Sequence, residues 1–316
     1  MKIINFIEHN NGKINTNSLE SLRASQEICN NNDGEIFCIT FNSDIAEELK
    51  QYDIKEILLL ENNNLENYSP LFFTKAAEYL IKEINPDLIV FGHTYQTRDW
   101  VPRLSARLDI PFITDCTGIK FEDNIKFIRQ LYQGKVSADY FVSSYPLIVS
   151  FQSGSYRSDQ LSNGSATVKT ASLDLDNVQK IIHPGDKFQE SESKVDLSQA
   201  NIIVSIGRGI GKEDNLPMVH ELANKLGGNV ASSRPIVDSG WLEPFHQIGS
   251  SGQTVAPKLY LALGMSGAIQ HIVGMKGSQN IIVINKDPNA PFFELADYAV
   301  VGDILEIIPK LIENLE

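Results

Sequence analysis

The sequence predicts an α/β protein with two domains, each built on a doubly wound, mostly parallel sheet. In the first half, short runs rich in Ile, Val, Leu and Phe alternate with segments of helical apolar spacing. After a charged segment, the same alternation restarts near residue 200. Continuous apolar runs are typical of strands covered on both faces, and strand–helix alternation is typical of parallel sheets.

The length of 316 residues suits two ordinary domains. We predict an N-terminal α/β domain with antiparallel additions over 1–185, a linker over 186–198 and a C-terminal domain over 199–316. The segment PGDKFQESESKVDLS at 184–198 is rich in charges and has no apolar periodicity, which is typical of an exposed linker. A long surface loop within one domain is the alternative interpretation.

In the N-terminal domain, predicted strands that are short apolar runs alternate with helical patterns. Asp44 is the expected N-cap of the second helix, and Ser69 followed by Pro70 marks the start of the third. From 112 to 183, strand-like segments are separated by short polar turns, so we expect antiparallel additions to the sheet there. The predicted strands are 2–8, 35–41, 56–60, 87–92, 117–122, 125–132, 139–143, 146–152 and 166–172, and the predicted helices are 17–30, 44–52, 70–84 and 98–108.

The C-terminal domain begins its alternation with the apolar run NIIVSI at 201–206. Pro257 is expected to begin a helix, and Ser266 is expected to cap the helix that follows. The predicted strands are 201–206, 229–233, 280–285 and 297–301, and the predicted helices are 215–227, 257–263, 267–275 and 304–315.

Composition excludes several classes of function. The net charge of −13 argues against binding of nucleic acid, whose phosphate backbone requires a positive surface. An acidic face can steer basic protein partners, or the charge can serve solubility alone. Cys29, Cys38 and Cys116 are far apart and odd in number, which argues against a disulfide framework, a zinc site or an iron–sulfur cluster. With no signal-peptide core and no apolar run of membrane length, we expect a cytoplasmic protein of bacterial type without membrane insertion.

Glycine and polar residues follow the predicted strands of the C-terminal domain. The loops are Gly207-Arg208-Gly209, Ser233-Arg234-Pro235, Asn285-Lys286-Asp287 and Gly302-Asp303. In an open parallel sheet these loops emerge on one edge, where ligands bind, and this set suits a phosphorylated ligand such as a nucleotide. A simple turn with a surface arginine is the alternative for the first loop. GRGIGK matches neither the dinucleotide fingerprint nor a P-loop, in which Ser or Thr would replace Glu213.

Residues 233–274 are the densest in candidate binding groups. They contain the polar loop Gly249-Ser250-Ser251-Gly252, and then Gln270 and His271 in the first turn of the helix that Ser266 is expected to cap. The positive end of that helix dipole, with an arginine and a histidine nearby, would stabilise anionic density on a cofactor such as a reduced flavin ring. A packed structural role is the alternative for His271. No metal-ligand spacing is present, and we interpret the other histidines as structural: His9, His93, His183, His220 and His246.

The run from Ser233 to Asp303 contains the segments SRPIVDSGW, QIGSSGQTVAPKLY, SGAIQH, INKDPNAPFFELADY and VVGD. These segments resemble the FAD domain of electron transfer flavoprotein alpha subunits over about seventy residues without gaps. The N-terminal half resembles the family only in its α/β pattern. The resemblance implies a C-terminal domain of the FAD-binding electron transfer flavoprotein type and a heterodimer with a beta subunit.

The resemblance also implies roles for individual residues. Arg208 and Ser233 would contact the diphosphate and adenosine side, and Arg234 would lie over the flavin ring, where positive charge raises its reduction potential. His271 would lie near the flavin C2 carbonyl, at the end of a segment lining the ribityl chain and pyrimidine. The implied FAD contacts are Arg208, Ser233, Arg234, Ile248, Gly249, Ser250, Ser251, Ser266, Gly267, Ala268, Ile269, Gln270, His271, and, on the adenosine side, Asn285, Asp303 and Ile304.

The chain departs from the family pattern at one loop. Many members have Gly-Gln-Thr-Gly where this sequence has Gly249-Ser250-Ser251-Gly252. Ser251 then stands in the place of the threonine beside flavin N5. A serine hydroxyl can donate the same hydrogen bond, but its rotamer is less restricted than that of threonine.

The family resemblance implies an electron carrier rather than an enzyme with its own substrate turnover. Flavin dehydrogenases such as acyl-CoA dehydrogenases, which act in fatty acid oxidation, would be the electron donors. A membrane quinone reductase or another redox protein would be the acceptor. The alternatives are a subunit of an electron-bifurcating flavoprotein complex, a dehydrogenase acting on a small metabolite, and a nucleotide-binding module without redox function.

Overall fold

The computed structural model describes residues 1–10, 12–132, 134–143, 145–182, 197 and 200–315. It divides into two compact units, Met1–Lys187 and Phe188–Glu316. The predicted linker over 186–198 lies, apart from Leu197, outside the described residues, so its bounds stay a prediction. Within the described part of the chain, the helices are too short or too polar to cross a membrane.

The first unit is built on a nine-stranded sheet. Two further short strands, β2 (His9–Asn10) and β3 (Lys13–Ile14), form a separate antiparallel hairpin. The strands of the large sheet are β1 (Lys2–Phe6), β4 (Glu35–Thr40), β5 (Glu56–Leu60), β6 (Leu88–Gly92), β7 (Phe112–Phe121), β8 (Ile125–Leu131), β9 (Val136–Tyr140), β10 (Leu147–Phe151) and β11 (Thr167–Ala171). The large sheet has the order β11-β5-β4-β1-β6-β10-β7-β8-β9. The first seven strands in this order are parallel.

The antiparallel additions predicted between 112 and 183 are confirmed in part. Strands β8 and β9 pair antiparallel at one end of the sheet. Strands β10 and β11 come from the same stretch but join the sheet in parallel. Turn spacing in the sequence identified the strands but carried no information on their direction.

Four helices connect the parallel strands of the first unit: α1 (Thr16–Asn32), α2 (Ser43–Leu49), α3 (Pro70–Ile84) and α4 (Tyr95–Leu108). The predicted start of α3 is confirmed, with Ser69 at the N-cap position and Pro70 first in the helix. The predicted cap of α2 is wrong, because Asn42 occupies that position and its side chain accepts a hydrogen bond from the Ile45 N–H at 3.0 Å. Asp44 lies in the first turn instead.

The second unit is a five-stranded, fully parallel sheet with the order β13-β12-β14-β15-β16. Its strands and α-helices are β12 (Ile202–Ile206), α5 (Leu216–Leu226), β13 (Asn229–Ser232), α6 (Arg234–Asp238), β14 (Leu259–Leu263), α7 (Ile269–Ile272), β15 (Ile281–Asn285), β16 (Tyr298–Val301) and α8 (Ile304–Asn314). The chain moves from β12 to one neighbour, β13, and then crosses to the other, β14. This reversal puts a topological switch point between β12 and β14.

The predicted helix over 257–263 is wrong, because Leu259–Leu263 forms β14 at the centre of the sheet. LYLAL is a five-residue apolar run between Pro257 and Gly264, and periodicity alone does not separate such a run from a buried helix. Its length favours a strand. Alternate residues of β14 pack on opposite faces: Leu261 and Leu263 lie under α5 and α8, whereas Tyr260 and Ala262 face Phe292 and Met275.

The predicted helix over 267–275 shortens to α7, four residues that begin at Ile269. Ala268, not Ser266, occupies the N-cap position, so the prediction for Ser266 is wrong. Gly264 and Gly267 have φ values of +61° and +86°, which a helix does not tolerate. The helix-dipole contribution expected at Ser266 is therefore not part of this structure.

Candidate functional site

The carboxyl ends of β12 and β14 pack against each other through glycine backbone. The Gly207 N–H donates to the Leu263 carbonyl at 2.9 Å, and the Gly209 N–H donates to the Gly264 carbonyl at 3.0 Å. A Cβ at Gly209 would lie 2.6 Å from Gly264 Cα, closer than real Cβ atoms approach. The sequence GRG therefore allows two strand-end loops to meet at the switch point, where open α/β sheets bind ligands.

A cavity of about 590 Å³ opens beside these loops. This volume lies within the ordinary range for small-molecule and cofactor sites. Its walls come from the segments that follow β12, β13, β14 and β15. Of the residues predicted to contact a cofactor, the cavity brings together Arg208, Ser233, Arg234, Ile248, Gly249, Ser250, Ser251, Ser266, Gly267, Ala268, Gln270, His271 and Asn285.

Three predicted contacts lie elsewhere in the second unit. The Asp303 side chain caps α8 by accepting from the Leu305 N–H at 2.9 Å. Ile304 is only 3% exposed and belongs to the apolar cluster under α8. Ile269 is 52% exposed on α7. The structure does not bring these three to the cavity wall, and their contact with a cofactor stays a prediction.

The structure adds lining residues that the sequence did not single out as contacts. Asp287 lies in the loop after β15, so its position at a predicted strand end was a usable signal. Gly207, Gly209 and Pro235 likewise follow predicted strands, whereas Gln247, Gly264, Ala290 and Pro291 gave no such signal. Met265 lies two residues after β14, but that segment was predicted as a helix. The added residues are Gly207, Gly209, Pro235, Gln247, Gly264, Met265, Asp287, Ala290 and Pro291.

Arg208 and Arg234 supply positive charge to the cavity from two different loops. Arg208 begins a short 3-10 turn after β12, and Arg234 is the first residue of α6. Arg234 Nε lies 3.4 Å from a carboxylate oxygen of Asp238, and both side chains are mostly exposed. An exposed pair of this kind contributes little and leaves the guanidinium free to reorient toward an anionic ligand.

The loop at 249–252 is docked by its backbone onto α7. The Ser250 N–H donates to the Gln270 carbonyl at 2.7 Å. A Cβ at Gly249, whose φ is +139°, would lie 2.6 Å from that same carbonyl oxygen. The Ser251 hydroxyl accepts a hydrogen bond from Gln247 Nε2 at 2.9 Å. This hydrogen bond orients the Ser251 side chain, whose rotamer is less restricted than that of a threonine.

Asn285 lines the cavity, but its amide is already used within the protein. Its Nδ2 donates to the Met265 carbonyl at 2.7 Å, and its Oδ1 accepts from the Asp287 N–H at 3.1 Å. Asn285 therefore ties the loop after β15 to the loop after β14. A direct contact with adenosine stays a prediction.

His271 is the most deeply buried titratable group of the cavity wall, at 6% exposure. Its Nε2 lies 2.7 Å from the Tyr260 hydroxyl. Its Nδ1 is buried and has no hydrogen bond of good geometry within the described residues. Burial lowers the pKa of His271 to about 4, and the Ile248 backbone opposes this only in part. The ring is therefore neutral at pH 7. Its expected role in stabilising anionic density stays a prediction, in which His271 acts through a hydrogen bond rather than as a cation.

This donor set fits FAD. Two arginines suit a diphosphate, and hydroxyl and amide side chains suit a ribityl chain. His271 Nδ1, which has no hydrogen bond of good geometry among the described residues, suits a flavin carbonyl or ring nitrogen.

Two family models match the chain. The electron transfer flavoprotein domain matches residues 3–176, and the electron transfer flavoprotein FAD-binding domain matches residues 196–276. This chain belongs to the electron transfer flavoprotein alpha-subunit family. The second match lies within the unit that holds the cavity, so this alpha subunit carries the FAD-binding domain of its family. Alpha subunits of this family are electron carriers that pair with a beta subunit.

Curated relatives extend over nearly the whole chain of this alpha subunit. The electron transfer flavoprotein subunit alpha of Thermoanaerobacterium thermosaccharolyticum is 34% identical, over 98% of this chain and 96% of that protein. The corresponding subunit of Bacillus subtilis is 33% identical, over 100% of this chain and 97% of its own. The lactate dehydrogenase (NAD(+),ferredoxin) subunit LctC of Acetobacterium woodii is 30% identical, over 98% of this chain and 76% of that protein.

Proposed function

We propose that the cavity at the carboxyl ends of β12–β15 holds FAD and that this alpha subunit, with its beta subunit, carries electrons between redox proteins. One observation supports the proposal above the others: loops from four separate strands meet around one cavity, and these loops carry most of the residues predicted to contact FAD. FAD supplies reversible electron chemistry when bound, and the protein binds, orients and tunes it.

Charge and hydrogen bonding divide the proposed site into two ends. Arg208 binds the diphosphate end, where its guanidinium offers several N–H donors to the phosphate oxygens. At the ring end, Arg234 supplies positive charge, His271 supplies a neutral hydrogen bond, and Ser251 donates toward the ring edge. Positive charge and donors at this end favour added electron density, so they raise the reduction potential.

An electron carrier fits the cavity better than a dehydrogenase with its own substrate. An enzyme of that kind requires a positioned acid or base beside the reacting group. Among the described lining residues, the titratable groups are the two arginines, His271 and Asp287. His271 is buried against Tyr260, and the exposed Asp287 accepts from the Asn289 N–H at 3.0 Å. Neither is paired with a second acid or base in a catalytic arrangement.

We further propose flavin dehydrogenases, such as acyl-CoA dehydrogenases in fatty acid oxidation, as donors, and a membrane quinone reductase or another redox protein as acceptor. A cytoplasmic location is part of the proposal. The free cysteines support it, since Cys38 and Cys116 are buried thiols suited to a reducing compartment.

A subunit of an electron-bifurcating complex is the second candidate. The similarity to the LctC subunit favours it, because the name of that protein includes both NAD(+) and ferredoxin. A carrier and a bifurcating subunit differ in the number of flavins per heterodimer, because bifurcation uses a second flavin in the beta subunit.

The test is to co-produce the alpha and beta subunits, count flavins per heterodimer and titrate the flavin-depleted protein with FAD. Arg208→Ala should weaken FAD binding by roughly 10- to 150-fold, since a charge-assisted hydrogen bond contributes about 1.5 to 3 kcal/mol. Arg157→Ala is the matched control, because Arg157 pairs with Asp159 on the surface of the other unit. A heterodimer without flavin absorbance, or equal FAD affinity in both variants, would contradict the proposed site. Two flavins per heterodimer would favour the bifurcating candidate.

A further inference from the structure

Tyr260 stands directly behind His271, on the side away from the cavity. It lies in β14, the central strand of the sheet, and is fully buried on the face opposite α5 and α8. Tyr260 does not line the cavity, but its hydroxyl lies 2.7 Å from His271 Nε2. The two rings and Phe292 pack together, with His271 6.2 Å from the Tyr260 ring centroid and 6.1 Å from that of Phe292.

The protons of this pair can be assigned from its surroundings. Burial raises the pKa of the Tyr260 phenol well above its usual range, so the phenol keeps its hydrogen at every physiological pH. A buried hydroxyl must donate that hydrogen, and Nε2 of His271 is the acceptor at hydrogen-bond distance. A neutral imidazole carries one hydrogen, so the hydrogen of His271 then lies on Nδ1.

Ser205 supports this direction. It lies on β12, next to β14 in the sheet, and is completely buried. Its hydroxyl faces the Tyr260 oxygen as a donor, which leaves the phenol hydrogen free to point at His271. The contact between Ser205 and Tyr260 does not reach the geometry of a strict hydrogen bond. The polar groups therefore lie in one row, from Ser205 to Tyr260 to His271, and within this row the Tyr260 hydroxyl donates to His271.

We propose that Tyr260 is a positioning residue for the cofactor site: it holds His271 in the tautomer that carries its hydrogen on Nδ1 and directs that hydrogen at the bound ligand. The inference rests on the proposed FAD site for the identity of the ligand, but the tautomer itself is a property of this chain. Nδ1 is the ring nitrogen that remains for this hydrogen. It is buried beside the backbone of the cavity-lining Ile248 and has no hydrogen bond of good geometry among the described residues.

The tautomer, rather than the charge, is the variable that Tyr260 controls. Because His271 is neutral at pH 7, it presents to a ligand either an N–H donor or a lone pair. A donor stabilises a flavin carbonyl or developing negative charge, whereas a lone pair repels it. Without the phenol hydrogen, the described residues on the strand side of the ring no longer select the donor form, and only the Ile248 backbone favours it.

The experiment uses the FAD-loaded heterodimer with 15N-labelled histidine. NMR of the ring nitrogens shows which one carries the hydrogen, and the signals of His271 are assigned by their loss in His271→Asn. Tyr260→Phe removes one oxygen and keeps the ring. Tyr298→Phe is the matched control, because Tyr298 lies in β16 of the same sheet and is 67% exposed. Flavin content and thermal unfolding are measured for every variant, so that a failure to bind FAD is separated from a change of tautomer.

In the unaltered protein we expect a single tautomer with the hydrogen on Nδ1. In Tyr260→Phe we expect a mixture of tautomers and a roughly fivefold shift of the reduction equilibrium toward oxidised flavin, the size of one lost hydrogen bond. Tyr298→Phe should match the unaltered protein in both measurements. A hydrogen on Nε2 in the unaltered protein would overturn the inference, with or without bound flavin and whether or not the variant folds. An unchanged tautomer in a folded Tyr260→Phe protein would also overturn it.

Discussion

Gly264→Ala tests the close approach of backbones at the switch point. Gly264 has φ +61°, and a Cβ there would lie 2.7 Å from Gly209 Cα and 3.0 Å from Ile304 Cδ1. The isoleucine methyl can move, but the Gly209 backbone cannot move without displacing the loop that carries Arg208. Gly227 provides a matched control, since its φ is +67° and a Cβ there would meet nothing within 4 Å.

The two variants share one cost and differ in the other. An alanine in the left-handed region costs about 1 to 2 kcal/mol, and both variants incur this cost. Crowding at a packed site adds about 1 to 3 kcal/mol, and only Gly264→Ala incurs it. The expected loss of stability is therefore about 2 to 5 kcal/mol for Gly264→Ala and about 1 to 2 kcal/mol for Gly227→Ala.

Denaturant unfolding of the FAD-loaded heterodimer and FAD titration of the depleted protein provide the measurements. Gly264→Ala should unfold at lower denaturant than Gly227→Ala and should also bind FAD more weakly, because the Arg208 loop is displaced. Gly227→Ala should keep its FAD affinity, because Gly227 caps the C-terminal end of α5, just before the start of β13, and does not lie at the carboxyl ends of the strands. Equal stability and equal FAD affinity in the two variants would refute the reasoning.

Two other sites give measurable expectations. Arg234→Ala should lower the flavin reduction potential by about 40 mV per electron, equivalent to about 1 kcal/mol for a solvent-screened charge ~4 Å away. Asp238→Asn removes the partner carboxylate of Arg234 and should raise the potential. Equal potentials for the variants and the unaltered protein in potentiometric titrations would contradict both expectations. Burial raises the pKa of Glu20 from 4.5 to about 7, so between these two values the folded protein holds a proton that the unfolded chain releases. The free energy of unfolding therefore falls as the pH rises from 4.5 to about 7, by on the order of 3 kcal/mol. Glu20→Gln should remove that fall in urea unfolding, and an unchanged pH dependence would contradict the assignment.

Local patterns in the sequence predicted most elements because those elements agree with their own propensities. NIIVSI and NIIVIN are buried strands, and Pro70 begins α3 as proline does at a first helical position. The cap of α2 was misassigned because Asn42 and Asp44 are both good capping residues. Only the geometry of the Asn42 side chain, which reaches the Ile45 N–H, distinguishes them.

The segment from Pro257 to Met275 was predicted least well. Its apolar runs are short enough to suit either a strand or a helix, and tertiary packing decided between them. Gly264 and Gly267 adopt left-handed conformations that end β14 and prevent a long helix from following. Assigning LYLAL to a strand would have placed Tyr260 on the same face as Ala262.

The candidate site was predictable to the extent that it depends on strand ends. Parallel topology brings the loops after β12, β13, β14 and β15 to one edge, so Arg208, Ser233 and Asn285 met there as expected. Side-chain direction was not predictable. The Asp303 carboxylate is used to cap α8, and Ile304 is used in the core, so neither faces the cavity.

A crystal structure of the FAD-loaded heterodimer tests the central claim most directly. We expect the diphosphate beside Arg208 and the flavin ring between Arg234 and His271, with His271 Nδ1 at a hydrogen-bond distance of about 2.7 to 3.2 Å from a ring oxygen or nitrogen. FAD bound away from the loops after β12–β15, or a ring that makes no contact with Arg234 and His271, would contradict it.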